Sequence, residues 1–74
     1  MNIKQIEYFI DLSTSLSFTQ TAQHFYISQT AITKQIRNLE DELGIPLFIR
    51  DKKKVEITPE GTLFLTHAKS IMKE

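Results

Sequence analysis

Two helix starts that lie close together constrain the fold of this chain more than any other feature. Ser17 is followed three residues later by Gln20, which is the pattern of a capping box: the serine hydroxyl accepts from the Gln20 amide, and the glutamine reaches back. Ser28 is a good N-cap for the next helix. The helix that opens at Ser17 must therefore be brief, and a very tight turn near Tyr26 and Ile27 joins it to its successor.

The helix that begins at Ser28 has a readable length and a buried side. Its apolar residues fall on one narrow stripe, made of Ile32, Ile36, Leu39 and Leu43. Gly44 is the expected left-handed stop, and Pro46 prevents the helix from continuing. We therefore expect a helix from Ser28 to near Leu43 that packs on the core through this stripe.

Two further helices flank this pair. Apolar residues with helical spacing run from Ile3 to Leu12, and the Ser/Thr cluster at 13–17 then ends that first helix. Thr58 before Pro59 is an N-cap followed by proline at the first helical position. A fourth helix therefore runs from this point toward the C-terminus.

The period of the apolar pattern changes between the third and fourth helices. Residues 47–50 and 55–58 are rich in apolar and β-branched side chains, and a charged turn at 51–54 separates them. Two such runs predict a short β-hairpin. The order helix, helix, helix, hairpin, helix predicts a mainly α fold, a winged helix-turn-helix with three helices, a two-stranded β-hairpin wing and a C-terminal helix.

Composition excludes several classes of protein. The chain has 74 residues, enough for one compact domain, and it has no cysteine, which excludes disulfides and thiolate metal sites. It contains no apolar run long enough for a bilayer and no signal-peptide layout, so we expect a soluble, cytoplasmic protein with no membrane partner. The formal net charge is zero, but cations concentrate between Lys34 and Lys54, and such a local patch can bind phosphate.

The third helix has a polar face away from its apolar stripe. Glutamine pairs with adenine, threonine contacts a base edge or the thymine methyl, and lysine donates to guanine. Because the N-terminal part of such a helix enters the major groove most deeply, we predict base contacts from Gln29, Thr30, Thr33 and Lys34. Arg37, one turn further on, is predicted to contact phosphate. The alternative is an ordinary solvated face of an amphipathic helix.

Two other regions are predicted to contact the DNA backbone. The hairpin tip carries four cations that suit phosphate or a narrow minor groove: Arg50, Lys52, Lys53 and Lys54. The alternative is a solvated turn that keeps an edge strand soluble. Ser17 and Thr19 open the second helix, whose free amides can hold a phosphate. The alternative there is that Ser17 only caps the helix and Phe18 only packs.

The remaining polar residues indicate neither contact with DNA nor catalysis. The acids at 40–42 are interpreted as the solvated end of the third helix, turned away from the duplex. His24 and His67 have no partner at ligand spacing, so we expect surface or packing roles for both. The sequence offers no combination of a nucleophile, a base and an orienting group, so we expect no enzymatic activity, no cofactor and no metal.

The rival hypothesis is a protein-interaction module without DNA affinity, which the zero net charge and the acidic run favour.

The stretch from Ser17 to Arg50 resembles the DNA-binding domain of LysR-type transcriptional regulators. The motifs that carry the resemblance are Ser-Phe-Thr at 17–19, Ala22, Ser28-Gln29, Gln35-Ile36, Leu39-Glu40, Leu43-Gly44, Pro46-Leu47-Phe48 and Arg50. The flanks agree, with Tyr-Phe at 8–9 and Thr-Pro-Glu-Gly at 58–61. The resemblance implies a bacterial regulator several times longer than this chain, in which an absent C-terminal domain binds a small-molecule effector.

The resemblance also implies a homodimer on an interrupted inverted repeat of double-stranded DNA. The winged domain would span 1–58, and 59–74 would start the linker and dimerisation helix. Apolar residues predicted to pair with a second copy are Leu63, Phe64, Ala68, Ile71 and Met72, and the alternative is that they only cover the domain's own core. Thr30, Thr33 and Lys34 depart from the residues most common in the family, which leaves the operator sequence open.

Overall fold

Four helices and a two-stranded antiparallel sheet make up the computed structural model, which describes residues 1–51 and 53–73. The elements in chain order are α1 (Ile3–Ser15), α2 (Phe18–Phe25), α3 (Gln29–Leu43), β1 (Phe48–Arg50), β2 (Val55–Ile57) and α4 (Pro59–Met72). This order confirms the mainly α winged helix-turn-helix predicted from the sequence. Lys52, which is predicted to contact the DNA backbone, lies outside the described residues.

Side-chain caps fix the starts of the first two helices. The Ser17 hydroxyl accepts from the Gln20 amide (3.1 Å), as predicted. The reciprocal half of the predicted capping box is wrong: α1 ends at Ser15, two residues before this cap, and the Ser17 amide donates to the Ser15 hydroxyl oxygen (3.1 Å). A complete capping box starts α1, where the Asn2 side chain and the Gln5 side chain each accept from the other's backbone amide.

The turn between α2 and α3 is as tight as predicted. Tyr26 adopts a left-handed conformation (φ 57°), and the Ile27 amide donates back to the Ala22 carbonyl (3.1 Å). The Ser28 hydroxyl then accepts from the Ala31 amide (3.0 Å) and starts α3. The chain therefore leaves α2 and enters α3 within three residues, which fixes the angle between the two helices.

The ends of α3 and the start of α4 also follow the predicted signals. Gly44 has φ 73° and ends α3, a conformation that costs glycine little because it has no Cβ. Thr58 caps α4 by accepting from the Gly61 amide (2.9 Å), with Pro59 at the first helical position. The predicted end of α3 and the predicted start of α4 are thus confirmed.

One core joins α1, α2, α3, α4 and the base of the wing. Its largest fully buried apolar side chains are Phe9, Leu12, Ile32, Ile36, Leu39 and Leu47. The ring of Phe9 lies at the centre, with ring centroids 5.5 Å from Phe48 on β1 and 5.1 Å from Phe64 on α4. The apolar stripe on α3 packs on this core as predicted, with Leu43 partly buried at its end.

The wing is shorter than predicted at both ends. The strands pair antiparallel, with Phe48 opposite Ile57 and Arg50 opposite Val55. Leu47 and Thr58 share one bond, in which the Thr58 amide donates to the Leu47 carbonyl (3.0 Å). The reciprocal bond is missing because the Leu47 amide donates to Glu40 and the Thr58 carbonyl accepts from the Thr62 amide.

Helix α4 packs into the same core, which corrects one predicted site residue. Ala68 is fully buried among the domain's own residues, so its predicted pairing with a second copy is wrong. Phe64 and Met72 are partly buried against the core, whereas Leu63 (66% exposed) and Ile71 (53% exposed) face outward. The division of the chain at residue 58 stays a prediction, and the dimer contact stays one for the four residues other than Ala68.

The first turn of α4 packs very closely on the segment before β1. A Cβ added at Gly61 would lie 2.4 Å from the Leu47 carbonyl oxygen and 2.7 Å from Ile57 Cγ1. The Thr58 hydroxyl also donates to the Pro46 carbonyl (2.8 Å) on the same segment. Glycine at position 61 therefore allows the first turn of α4 to pack directly on the segment that leads into the wing.

A polar cluster joins α1 to α2. The Thr21 hydroxyl is buried and donates to Asp11 Oδ1 (2.6 Å), while His24 Nδ1 lies 2.8 Å from Asp11 Oδ2. The Ser15 hydroxyl lies 3.0 Å from the Thr21 hydroxyl. His24 is exposed, as expected, but it has a carboxylate partner that the sequence did not indicate.

Candidate nucleic-acid interface

The first two turns of α3 present the predicted base-reading residues on the surface. Gln29, Thr30 and Lys34 are exposed and Thr33 is half-buried, while the opposite stripe is in the core. The buried stripe prevents the helix from rotating, so this polar face points to solvent in one fixed direction. The structure thus makes all four side chains available, and their contact with bases stays a prediction.

The start of α2 contacts the start of α3 through two predicted site residues. The Thr19 hydroxyl donates to Gln29 Oε1 (3.2 Å). An amide oxygen has two lone pairs, so Gln29 keeps one of them and both Nε2 hydrogens free for an adenine edge. The bond therefore orients the Gln29 side chain without using up its capacity to read a base.

Arg50, at the end of β1, lies over an aromatic ring of α2. Its guanidinium carbon is 4.1 Å from the centre of the Phe18 ring. The pKa of Arg50 is lowered from its ordinary value, mainly by partial burial and then by the charge of Arg37, while the charge of Glu40 raises it. Arg50 stays protonated at neutral pH because guanidinium loses its proton only in strong base. Arg37, which is also predicted to contact the DNA backbone, is thus close enough to influence the pKa of Arg50.

Glu40 does not belong to a solvated helix end, which corrects the sequence interpretation. Its Oε2 accepts from the Leu47 amide (2.8 Å) and the Phe48 amide (3.1 Å), and the side chain is half-buried. Asp41 and Glu42 are exposed, as expected. The carboxylate of Glu40 therefore holds the start of the wing against α3.

The tip of the wing presents Lys53 and Lys54 to solvent. The turn is closed by the Asp51 amide, which donates to the Lys54 carbonyl (2.9 Å). Lys54 Nζ lies 2.9 Å from Glu56 Oε2, and this hydrogen bond and the carboxylate charge raise the pKa of Lys54. Lys54 would have to share its charge with Glu56 when it contacts a phosphate, so Lys53 is the better placed of the two.

Two contacts of this surface were missed from the sequence. Nothing in the spacing of residues 18 and 50 relates an aromatic ring to an arginine, and nothing relates Thr19 to Gln29 beyond their both opening helices. In the described ranges 1–51 and 53–73, no cluster of His, Asp and Glu could hold a metal ion, and no helix is long and apolar enough to cross a membrane.

The sequence matches known regulators along its whole length. The family described as "Bacterial regulatory helix-turn-helix protein, lysR family" matches residues 3–62. The chain is 38% identical to the Hca operon transcriptional activator HcaR of Escherichia coli, over 100% of this chain and 25% of that protein. It is 43% identical to the transcriptional activator IlvY of Haemophilus influenzae, over 95% of this chain and 24% of that protein. The chain thus spans about a quarter of these relatives' length.

Solved structures with the same fold include domains bound to DNA. The BenM DNA-binding domain in complex with catB site 1 DNA superposes with a TM-score of 0.91 at 38% identity, covering 97% of this chain and 80% of that one. The CbnR DNA-binding domain in complex with DNA gives a TM-score of 0.94 at 33% identity, covering 99% and 84%. With its four helices, its wing and this family match, the chain belongs to the LysR family of bacterial regulatory helix-turn-helix proteins.

Proposed function

We propose that this chain is the DNA-binding domain of a bacterial transcriptional regulator and that it binds a specific double-stranded sequence in the cytoplasm without catalysing a reaction. The polar face at the start of α3 carries this proposal, since its four side chains are held outward on a helix whose opposite side is locked in the core. Further support comes from the similarity to two domains solved in complex with DNA and to relatives named as transcriptional activators.

In the proposed complex, α3 lies in the major groove and reads bases through Gln29, Thr30, Thr33 and Lys34. Gln29 provides a bidentate pair for adenine, whereas Lys34 provides a point charge for guanine because an ammonium lacks the fork of a guanidinium. Contacts with phosphate or with a narrow minor groove are proposed for Ser17, Thr19, Arg37, Arg50, Lys52, Lys53 and Lys54. These contacts set the register on the duplex, and the base contacts supply the specificity.

We also propose that the whole protein is a homodimer that pairs through α4 and binds an interrupted inverted repeat. Leu63 and Ile71 are large apolar side chains exposed on α4, and burial of such surface between two copies would stabilise a dimer. Phe64 and Met72 would contribute only their exposed parts. A small-molecule effector would act through a C-terminal domain of the whole protein.

The test compares two exposed glutamines. Selection from random DNA first identifies a preferred duplex, and fluorescence anisotropy then measures binding to it and to a scrambled duplex. Gln29→Ala is expected to weaken binding to the preferred duplex by about 1–3 kcal/mol and to change scrambled binding much less. Gln23→Ala, on an exposed part of α2, is the matched control and should change neither. An equal loss on both duplexes would contradict base reading by Gln29.

A salt titration distinguishes residues that contact bases from residues that contact phosphates. Lys53→Ala is expected to weaken the preferred and scrambled duplexes alike and to lower the slope of log affinity against log salt by about 1. Failure of the unmodified domain to bind any duplex at low salt, in a verified dimer, would favour the protein-interaction module instead. The structure weakens that rival, because Glu40 of the acidic run is engaged in holding the wing.

A further inference from the structure

The contact between Phe18 and Arg50 joins a nearly buried ring to an exposed cation. Phe18 is 6% exposed, whereas Arg50 is exposed, and 4.1 Å separates the guanidinium carbon from the ring centre. A guanidinium this close to an aromatic face is attracted by the ring quadrupole, and the attraction grows where water is displaced. The ring of α2 therefore fixes the direction of a wing side chain.

The strand that carries Arg50 gives its side chain little support. Arg50 lies in the last pair of a ladder only three residues long, and a two-stranded hairpin of this size is marginal alone. The charge of Arg37 also disfavours a second guanidinium nearby, and this repulsion contributes to the lowered pKa of Arg50. The charge of Glu40 opposes this repulsion, and the Phe18 ring adds an attraction with a defined direction.

We propose that Phe18 is a positioning residue for DNA binding: its ring holds the Arg50 guanidinium in a fixed direction in which it contacts a backbone phosphate. The inference rests on the proposed function and deepens it. Because Arg50 is already ordered, it loses less rotamer freedom on binding than a mobile side chain would.

A fluorination series tests the ring quadrupole while leaving the shape of Phe18 nearly unchanged. Phe18 is replaced by its monofluoro, difluoro and trifluoro analogues, which withdraw electron density from the ring in steps. Affinity for the preferred duplex is expected to fall at each step, to a total of roughly two- to five-fold. In an Arg50→Ala background the same series should be flat, since no cation remains over the ring.

The control is the same series at Phe9, whose ring is fully buried in the core and packs against Phe48 and Phe64. These variants should bind DNA like the unmodified domain, and melting temperatures of both series show whether folding is retained. A flat series at Phe18, with normal binding by the unmodified domain, would overturn the positioning role and leave the proposed function standing. Absence of binding by the unmodified domain would overturn both.

A second measurement needs no DNA. The Phe18 ring should shift the side-chain proton resonances of Arg50 through its ring current, and Phe18→Leu should return them to ordinary values. Ordinary Arg50 resonances in the unmodified domain would overturn the proposal directly. Arg37 provides the comparison within one spectrum, because no ring contact orders its guanidinium among the contacts of the described residues.

Discussion

The two ends of α3 are both polar, yet the structure uses them differently. At the N-terminal end, Gln29, Thr30 and Lys34 are exposed and keep hydrogen-bonding capacity for a ligand. At the C-terminal end, Glu40 turns back to the protein and accepts from two amides at the start of the wing. One helix thus has a reading end and an anchoring end, and residue type alone does not distinguish them.

The largest effect is expected from removing the contact between the C-terminal end of α3 and the wing. Glu40→Ala leaves the amides of Leu47 and Phe48 without their carboxylate acceptor, and we expect a loss of about 2–3 kcal/mol in the free energy of unfolding. Urea denaturation measures it. Asp41→Ala, the exposed neighbour, is the control and should change stability by no more than about 0.5 kcal/mol. Equal effects of the two substitutions would show that Glu40 does not anchor the wing.

The next effect tests the same anchor from the side of α4. Gly61→Ala places a Cβ 2.4 Å from the Leu47 carbonyl oxygen, so backbone must shift, and we expect a destabilisation of about 1–3 kcal/mol. From the sequence, glycine here carries only the mild cost of its poor helix propensity, and alanine would be stabilising. Thermal unfolding therefore distinguishes the two explanations by the sign of the change in Tm. An increase in Tm would contradict the close packing.

The smallest effect concerns the reading end. Thr19→Val removes the hydroxyl that donates to Gln29 Oε1, and we expect specific DNA affinity to fall by about 0.5–1.5 kcal/mol with little change in stability. A double-mutant cycle with Gln29→Ala measures the coupling by anisotropy. If Thr19 acts by orienting Gln29, its substitution costs less once Gln29 is absent. Strictly additive losses would instead indicate an independent contact of Thr19 with the backbone.

Local signals explain how much of the fold could be predicted. Ser28, Gly44 and Pro59 act on the residues beside them, so helix boundaries follow from the sequence. The apolar stripe of α3 was equally readable because it has the period of one helix. The same reasoning failed for Ala68, since an apolar helical position looks alike whether it faces its own core or a second copy.

The contacts that the sequence could not supply join residues far apart in the chain. The carboxylate of Glu40 meets the start of β1 only because Gly44 reverses the chain, and its acidity alone indicated a solvated helix end. The ring of Phe18 meets Arg50 only when the wing folds back on α2. No periodicity indicates such pairs, so the sequence could suggest candidate site residues but not the contacts between them.

The most direct test of the division within α3 is a titration of the labelled domain with its preferred duplex, followed by amide chemical shifts. Large shifts are predicted at residues 29–37, together with 17–19 and the described part of the wing, while the exposed acids Asp41 and Glu42 should hardly move. Large shifts at Asp41 and Glu42, with residues 29–34 unchanged, would contradict the assignment of the reading end.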